Sequence, residues 1–172
     1  MTDSISDAAA AKTRWLDPDQ QRAWRAYMVG TTLLTDRLDD ELRDAFGIGL
    51  NEYEVLVRLS EREDHSLRMS ALADAMRFSR SRVTHTIKRM EAAGWVRRSE
   101  ATDDGRGIFA HLTETGFALL VRAAPIHVAG VRAHLVDLVA ADDFAAMGRV
   151  MDAVVDQLAE DHPEADLRTP GS

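Results

Sequence analysis

Apolar residues recur at three- and four-residue steps over most of the chain, the period of amphipathic helices rather than the alternation of strands. The first such stretch places Trp24, Tyr27, Met28, Thr31, Leu34, Leu38, Leu42 and Ala45 on one face and stops at Gly47 and Gly49, enough for about seven turns. Its start is written in Asp17-Pro18-Asp19-Gln20: an Asp to cap, a Pro at the first helical position where its missing N–H costs nothing, and a Gln three residues after the cap. A shorter helix follows, with Asn51 as its cap and Tyr53, Val55, Leu56 and Leu59 as its apolar face, fading into the polar run Glu61 to His65. Ser70 reads as the cap of Ala71 to Met76. After Arg77-Phe78 a new cap, Ser79, opens a helix that runs to Ala93 and ends at Gly94. Two helices joined by so tight a turn form a helix-turn-helix.

Beyond Gly94 the period changes. Trp95 to Ser99 and Ile108 to Leu112 read as two short strands around the turn-rich Asp103-Asp104-Gly105-Arg106-Gly107, a hairpin wing. The helical period then returns in Phe117, Leu120, Val121, Ala124, Val128, Val131, Leu135 and Leu138, with a bend expected at Pro125 because proline cannot donate to the preceding turn. A last helix follows Asp142, carrying Phe144, Met147, Val150 or Met151, Val154 and Leu158. The fold class expected is mostly α with a small β-hairpin wing. Within one domain it divides into a flexible arm over 1–16, a long helix over 17–49, a winged helix-turn-helix over 50–113, C-terminal helices over 114–162 and a flexible tail over 163–172. The three helices outside the winged module have apolar faces that one small domain would not easily cover, which suits a homodimer.

The chain has 172 residues, 45% of them hydrophobic, which suffices for a core without disulfides or structural metal. It contains no cysteine, so disulfides, thiolate zinc sites, cysteine nucleophiles and thiol redox sensing all drop out. No run of eighteen apolar residues and no basic-then-apolar leader is visible, and a cytoplasmic protein without a membrane partner is expected. The net charge of −8 argues against a polyanionic partner until its distribution is considered. Between Ser66 and Thr113 nine basic residues face five acidic ones, a local +4 that leaves −12 for the rest. An acidic body with one basic face repels DNA in every orientation but one.

In the helix from Ser79 to Ala93, Val83, Ile87 and Met90 lie at i, i+4 and i+7 and must face the core, which turns Ser81, Thr84, His85 and Lys88 outward. Such side chains hydrogen-bond base edges or phosphates, and Arg80 and Arg82 sit in the first turn, where a recognition helix meets the major groove. Arg98 on the first wing strand extends the basic surface. At the wing tip Arg106, flanked by glycines, is placed to reach a narrow minor groove, with Asp104 two residues earlier able to hold its guanidinium in a forked pair.

Asp104-x-Arg106 followed by Leu112-Thr113, together with Leu72-Ala73, Ser79, Val83-Thr84, Ile87-x-Arg89-Met90-Glu91 and Gly94-Trp95-Val96, resembles the winged helix-turn-helix of the MarR family of multiple-antibiotic-resistance-type transcription regulators. The order of helices extends that resemblance over about residues 17 to 160. It implies a homodimer interlocked through the first helix and the last two, bound to a pseudopalindrome in double-stranded DNA. It implies a repressor that lets go of DNA when a small phenolic or carboxylate effector binds between the dimer helices and the reading head.

For that effector the candidates are Trp15, Trp24, Arg25, Tyr27 and His65, able to stack a ring and pair a carboxylate; each has a plain structural reading as core or solvated surface. His65, His111, His127, His134 and His162 do not fall at the i, i+4 spacing that puts two imidazoles on one helix face, so no metal site and no cofactor are expected. No phosphate loop, ligand set or nucleophile-base pair suggests an enzyme. The competing readings are a ligand-independent DNA-binding activator and a winged helix used only for protein contact.

Overall fold

The computed structural model describes residues 13–100 and 107–158. The chain divides into two compact units, Met1–Asp36 and Arg37–Ser172, with helix α1 (Pro18–Phe46) passing from one into the other. The α1 start is the capping box read from sequence: the Gln20 N–H donates to Asp17 Oδ1 at 2.8 Å and the Asp17 N–H to Gln20 Oε1 at 3.1 Å. Within the first unit Trp24 stacks on Tyr27 with ring centroids 5.9 Å apart, and Trp15, Trp24, Tyr27, Met28 and Leu33 are exposed.

The second unit continues through α2 (Leu50–Ser60), β1 (Ser66–Arg68), α3 (Met69–Ala75), α4 (Arg80–Ala92), β2 (Val96–Glu100), β3 (Ile108–Leu112), α5 (Glu114–His134), a 3-10 turn (Val136–Leu138) and α6 (Ala141–Leu158). Its core gathers Leu42, Ile48, Leu56, Leu59, Leu72, Ile87, Met90, Val96 and Ala123. That core ties the winged module to the end of α1 and to α5. The wing is a three-stranded antiparallel sheet in the order β1-β3-β2, with Arg68 opposite Phe109 and Val96 opposite Leu112. The hairpin read from sequence is present and gains a third strand, because Ser66-Leu67-Arg68 is too short to show an alternation.

Two caps differ from the sequence reading. Helix α2 starts one residue earlier than Asn51, behind Gly49, whose N–H donates to Glu52 Oε2 at 3.1 Å. The Leu50 N–H donates to Asp39 Oδ1 of α1 at 2.7 Å. A Cβ at position 49 would sit 2.6 Å from that carboxylate, so any larger residue there must displace the Asp39 and Arg43 side-chain ends, and Asn51 lies inside the first turn. Helix α3 begins at Met69 behind extended Arg68, without a side-chain cap; Ser70 is already helical.

Helices α3 and α4 each close at their C-terminal end with a left-handed residue. After α3, Phe78 N–H donates to Ala73 O at 3.0 Å and Arg77 N–H to Asp74 O at 3.1 Å, with Arg77 at φ +54°. After α4 the same pair of bonds forms from Trp95 to Met90 O and from Gly94 to Glu91 O, with Gly94 at φ +78°. Helix α5 continues through Pro125 to His134. Glu114–Leu138 is long and apolar enough to cross a membrane by length and composition. One face of it is nevertheless buried in the second unit at Gly116, Leu119, Leu120, Ala123 and Gly130, and Arg122 and Arg132 interrupt it. At Gly130 a Cβ would lie 2.4 Å from Glu41 Oε2, so α1 and α5 approach closely there. Beside it His134 Nε2 meets Glu41 Oε1 at 2.8 Å, and Arg37 Nε donates to the same oxygen at 2.9 Å.

Candidate nucleic-acid interface

Helix α4 takes its orientation from what it buries. Val83, Thr86, Ile87 and Met90 are buried, and Ser79 caps the first turn by accepting from Arg82 N–H at 3.3 Å. Arg80, Ser81, Arg82, Thr84, His85 and Lys88 are all exposed, on the outward stripe expected from the spacing. Two of them are partly engaged. The Arg82 guanidinium lies 3.7 Å over the Phe78 ring, which stiffens the side chain at the turn. The Thr84 hydroxyl donates to Arg80 O at 2.8 Å, so its oxygen lone pairs point away from the helix as acceptors. Asp104 and Arg106 lie outside the described residues.

Arg98 has a partner that the sequence did not disclose. Its Nε donates to Glu91 Oε2 at 2.8 Å and its N–H to Glu91 Oε1 at 3.0 Å, an end-to-end clasp between the last turn of α4 and strand β2. At the opposite side of the helix Arg89 pairs with buried Glu52 of α2, the same carboxylate that accepts the Gly49 N–H. Glu52 and Glu91 thus tie α4 to α2 and to β2. Their only sequence signal was an acid beside a basic stripe, because partners 37 and seven residues apart follow from the tertiary fold.

The clasp has a pH signature. Hydrogen bonding to the Arg98 side chain, against a smaller opposing effect of burial, holds the Glu91 carboxyl below its usual range. A carboxylate depressed in the folded state adds stability above its unfolded pKa and loses it as pH falls through the folded value. Glu91→Gln is therefore expected to lower the melting temperature at neutral pH and to match the parent chain once both are acidified below the carboxylate range. Equal melting temperatures at pH 7 would contradict the clasp.

The five effector candidates divide between the two units. Trp15, Trp24, Arg25 and Tyr27 belong to the first and are exposed. His65 belongs to the second: it sits at φ +52°, its carbonyl accepts the Leu112 N–H at 2.9 Å, and its ring lies 5.9 Å from that of Phe117. Among the described residues no group of three or more His, Asp or Glu could hold a metal ion. His134 is taken by Glu41, and His127 packs on Tyr53 with centroids 4.6 Å apart, its burial favouring the neutral ring.

The architecture matches known proteins over most of its length. Crystallographic Sco3205 of Streptomyces coelicolor, a MarR family transcriptional regulator solved in complex with DNA, superposes with a TM-score of 0.81 at 39% identity, covering 86% of this chain and 92% of Sco3205. The chain belongs to the MarR family. The MarR family model itself matches residues 48–108, from the α1–α2 corner to the start of β3. AbsC, a MarR family regulator of the same organism, gives a TM-score of 0.78 at 44% identity and covers 85% of this chain and 98% of AbsC. The regulator PecS of Dickeya dadantii (strain 3937) is 31% identical over 110 residues, which span 61% of this chain and 66% of PecS, just under two thirds of that protein. As a MarR family member the chain is a winged-helix transcriptional regulator and not an enzyme.

Proposed function

We propose that this MarR family member is a homodimeric repressor that binds a pseudopalindromic operator in duplex DNA and is released by a small aromatic or carboxylate effector. The observation that carries the DNA-binding part is the outward face of α4, where Arg80, Ser81, Arg82, Thr84, His85 and Lys88 stand exposed with no acid among them on a helix held at both sides by ion pairs. A basic helix face that mixes long cationic side chains with short polar ones suits major-groove docking. Sco3205, at 39% identity, was solved on DNA, and that supports the same use here.

Dimerisation is supported by the large apolar side chains left in solvent by a single chain, Leu33 in the first unit and Phe117, Val128, Val150 and Val154 in the second; exposed apolar surface of this kind is commonly covered by a partner. The effector reading rests on the ring pair Trp24–Tyr27 of the first unit, with Trp15 and Arg25 near it in sequence. In this reading Arg98 on β2, which keeps its pair with Glu91, and Arg106, two residues after Asp104 in sequence, extend the contact from α4 onto the wing. Titration of DNA at several salt concentrations tests it: Arg106→Ala weakens binding and flattens the salt dependence by about one counterion per protomer. Unchanged affinity at every salt concentration would remove the wing from the interface.

A further inference from the structure

Between the reading helix and the wing, the second unit holds a cleft of about 230 Å³ walled by Arg68 and Ser70 on one side, Arg80 and Thr84 on another, and Gly107 with Ile108 at the start of β3. Small-molecule pockets run to roughly 300–1,000 Å³; this one is smaller, and its described lining brings together the guanidinium-bearing Arg68 and Arg80 and the hydroxyl-bearing Ser70, with no acid among those described residues. That is the chemistry of a phosphate seat. Three elements build it. Arg68 ends β1 opposite Phe109 of β3, and its guanidinium lies 5.2 Å over the Phe109 ring, which fixes the charge at the wall instead of leaving it on a free stem. Arg80 and Thr84 come from successive turns of α4, and Gly107 brings bare backbone to the rim.

We infer that this cleft seats a backbone phosphodiester of bound DNA, with Arg68 and Ser70 as phosphate-binding residues beside Arg80. The inference rests on the DNA-binding reading and deepens it. A phosphate held between α4 and the wing fixes the register of the reading helix on the duplex without reading sequence, which is the division of labour between phosphate and base contacts. The third wing strand then has a function: β1 carries Arg68 to the interface.

The test uses the full chain, a duplex selected by the wild-type protein from a randomised pool, and a mixed-sequence duplex of equal length. Arg68→Ala is expected to weaken both duplexes by the same factor, about five- to tenfold, and to lower the slope of log K against log salt by about one for each protomer bound. Arg68→Lys keeps the slope, and Ser70→Ala weakens both duplexes about two- to fivefold with the slope intact. If Arg68→Ala does not fold, a scan of single methylphosphonate substitutions replaces it: one neutralised position weakens wild type but has a smaller effect on Ser70→Ala. Full affinity and slope in Arg68→Ala, while Lys88→Glu loses binding, would overturn the phosphate seat and leave DNA recognition standing. Failure of the wild type to bind either duplex would overturn the DNA reading itself. Arg68-dependent stabilisation by inorganic phosphate with unchanged DNA affinity would reassign the cleft to free phosphate and overturn the proposal.

Discussion

Gly116→Ala is expected to destabilise the protein by at least about 3 kcal/mol and to lower its melting temperature by about 10 °C. Gly116 lies in the first turn of α5, where the backbone of the β2 approach crosses it: a Cβ would sit 2.1 Å from Trp95 O and 2.9 Å from Leu112 Cδ1. Real Cβ atoms do not approach a carbonyl oxygen so closely, and the carbonyl is not free to move. Trp95 O accepts both the Thr113 N–H at 3.1 Å and the Thr113 hydroxyl at 3.0 Å, while Thr113 caps α5 by accepting from Gly116 N–H at 3.0 Å. Relief of the clash therefore breaks the cap or the exit from α4, and the orphaned buried groups add to the strain. The same change at Gly148, which has open space around its Cβ position, is expected to be neutral or slightly stabilising. Thermal melts of the two variants separate a steric effect at position 116 from a general glycine effect; equal melting temperatures would refute the crossing.

Lys88→Glu carries the largest functional effect, a loss of at least about 100-fold in DNA affinity at low salt with no change in melting temperature beyond about 2 °C. Lys88 is exposed on the outward stripe, two turns from the cap of α4, and no buried neighbour depends on it. Reversal of its charge removes one counterion-releasing contact and adds a carboxylate against the polyanion, so the electrostatic loss is incurred twice. The slope of log K against log salt falls accordingly. Binding within a factor of two of the parent would exclude this face from the interface.

The sequence disclosed the elements whose signals are local. Asp17-Pro18 with Gln20, Ser79 before Arg80, and Gly94 after Ala93 each act within four residues, and each recurs in the structure as a measured cap or left-handed closure. Val83, Ile87 and Met90 were legible because a helix has one period. Longer-range choices were not. The cap of α2 passed from Asn51 to Gly49 because Asp39, eleven residues away, takes the Leu50 N–H, and α3 starts at Met69 because Arg68 is held in a strand against Phe109. The clasp between Glu91 and Arg98 was hidden for the same reason: its geometry exists only once β2 folds back along α4. Composition and charge pointed to the basic face but could not show that Arg68, on a three-residue strand, shares a cleft with Arg80.

The central claim, a two-fold reader that places α4 in the major groove, is tested most directly by selection of duplexes from a randomised pool with the purified full-length chain. The account predicts enrichment of an inverted repeat whose half-sites lie about 10 base pairs apart, bound with a steep salt dependence and at least about 100-fold more weakly by Lys88→Glu. A pool that emerges without an enriched repeat, bound no more tightly by wild type than by Lys88→Glu, would contradict it.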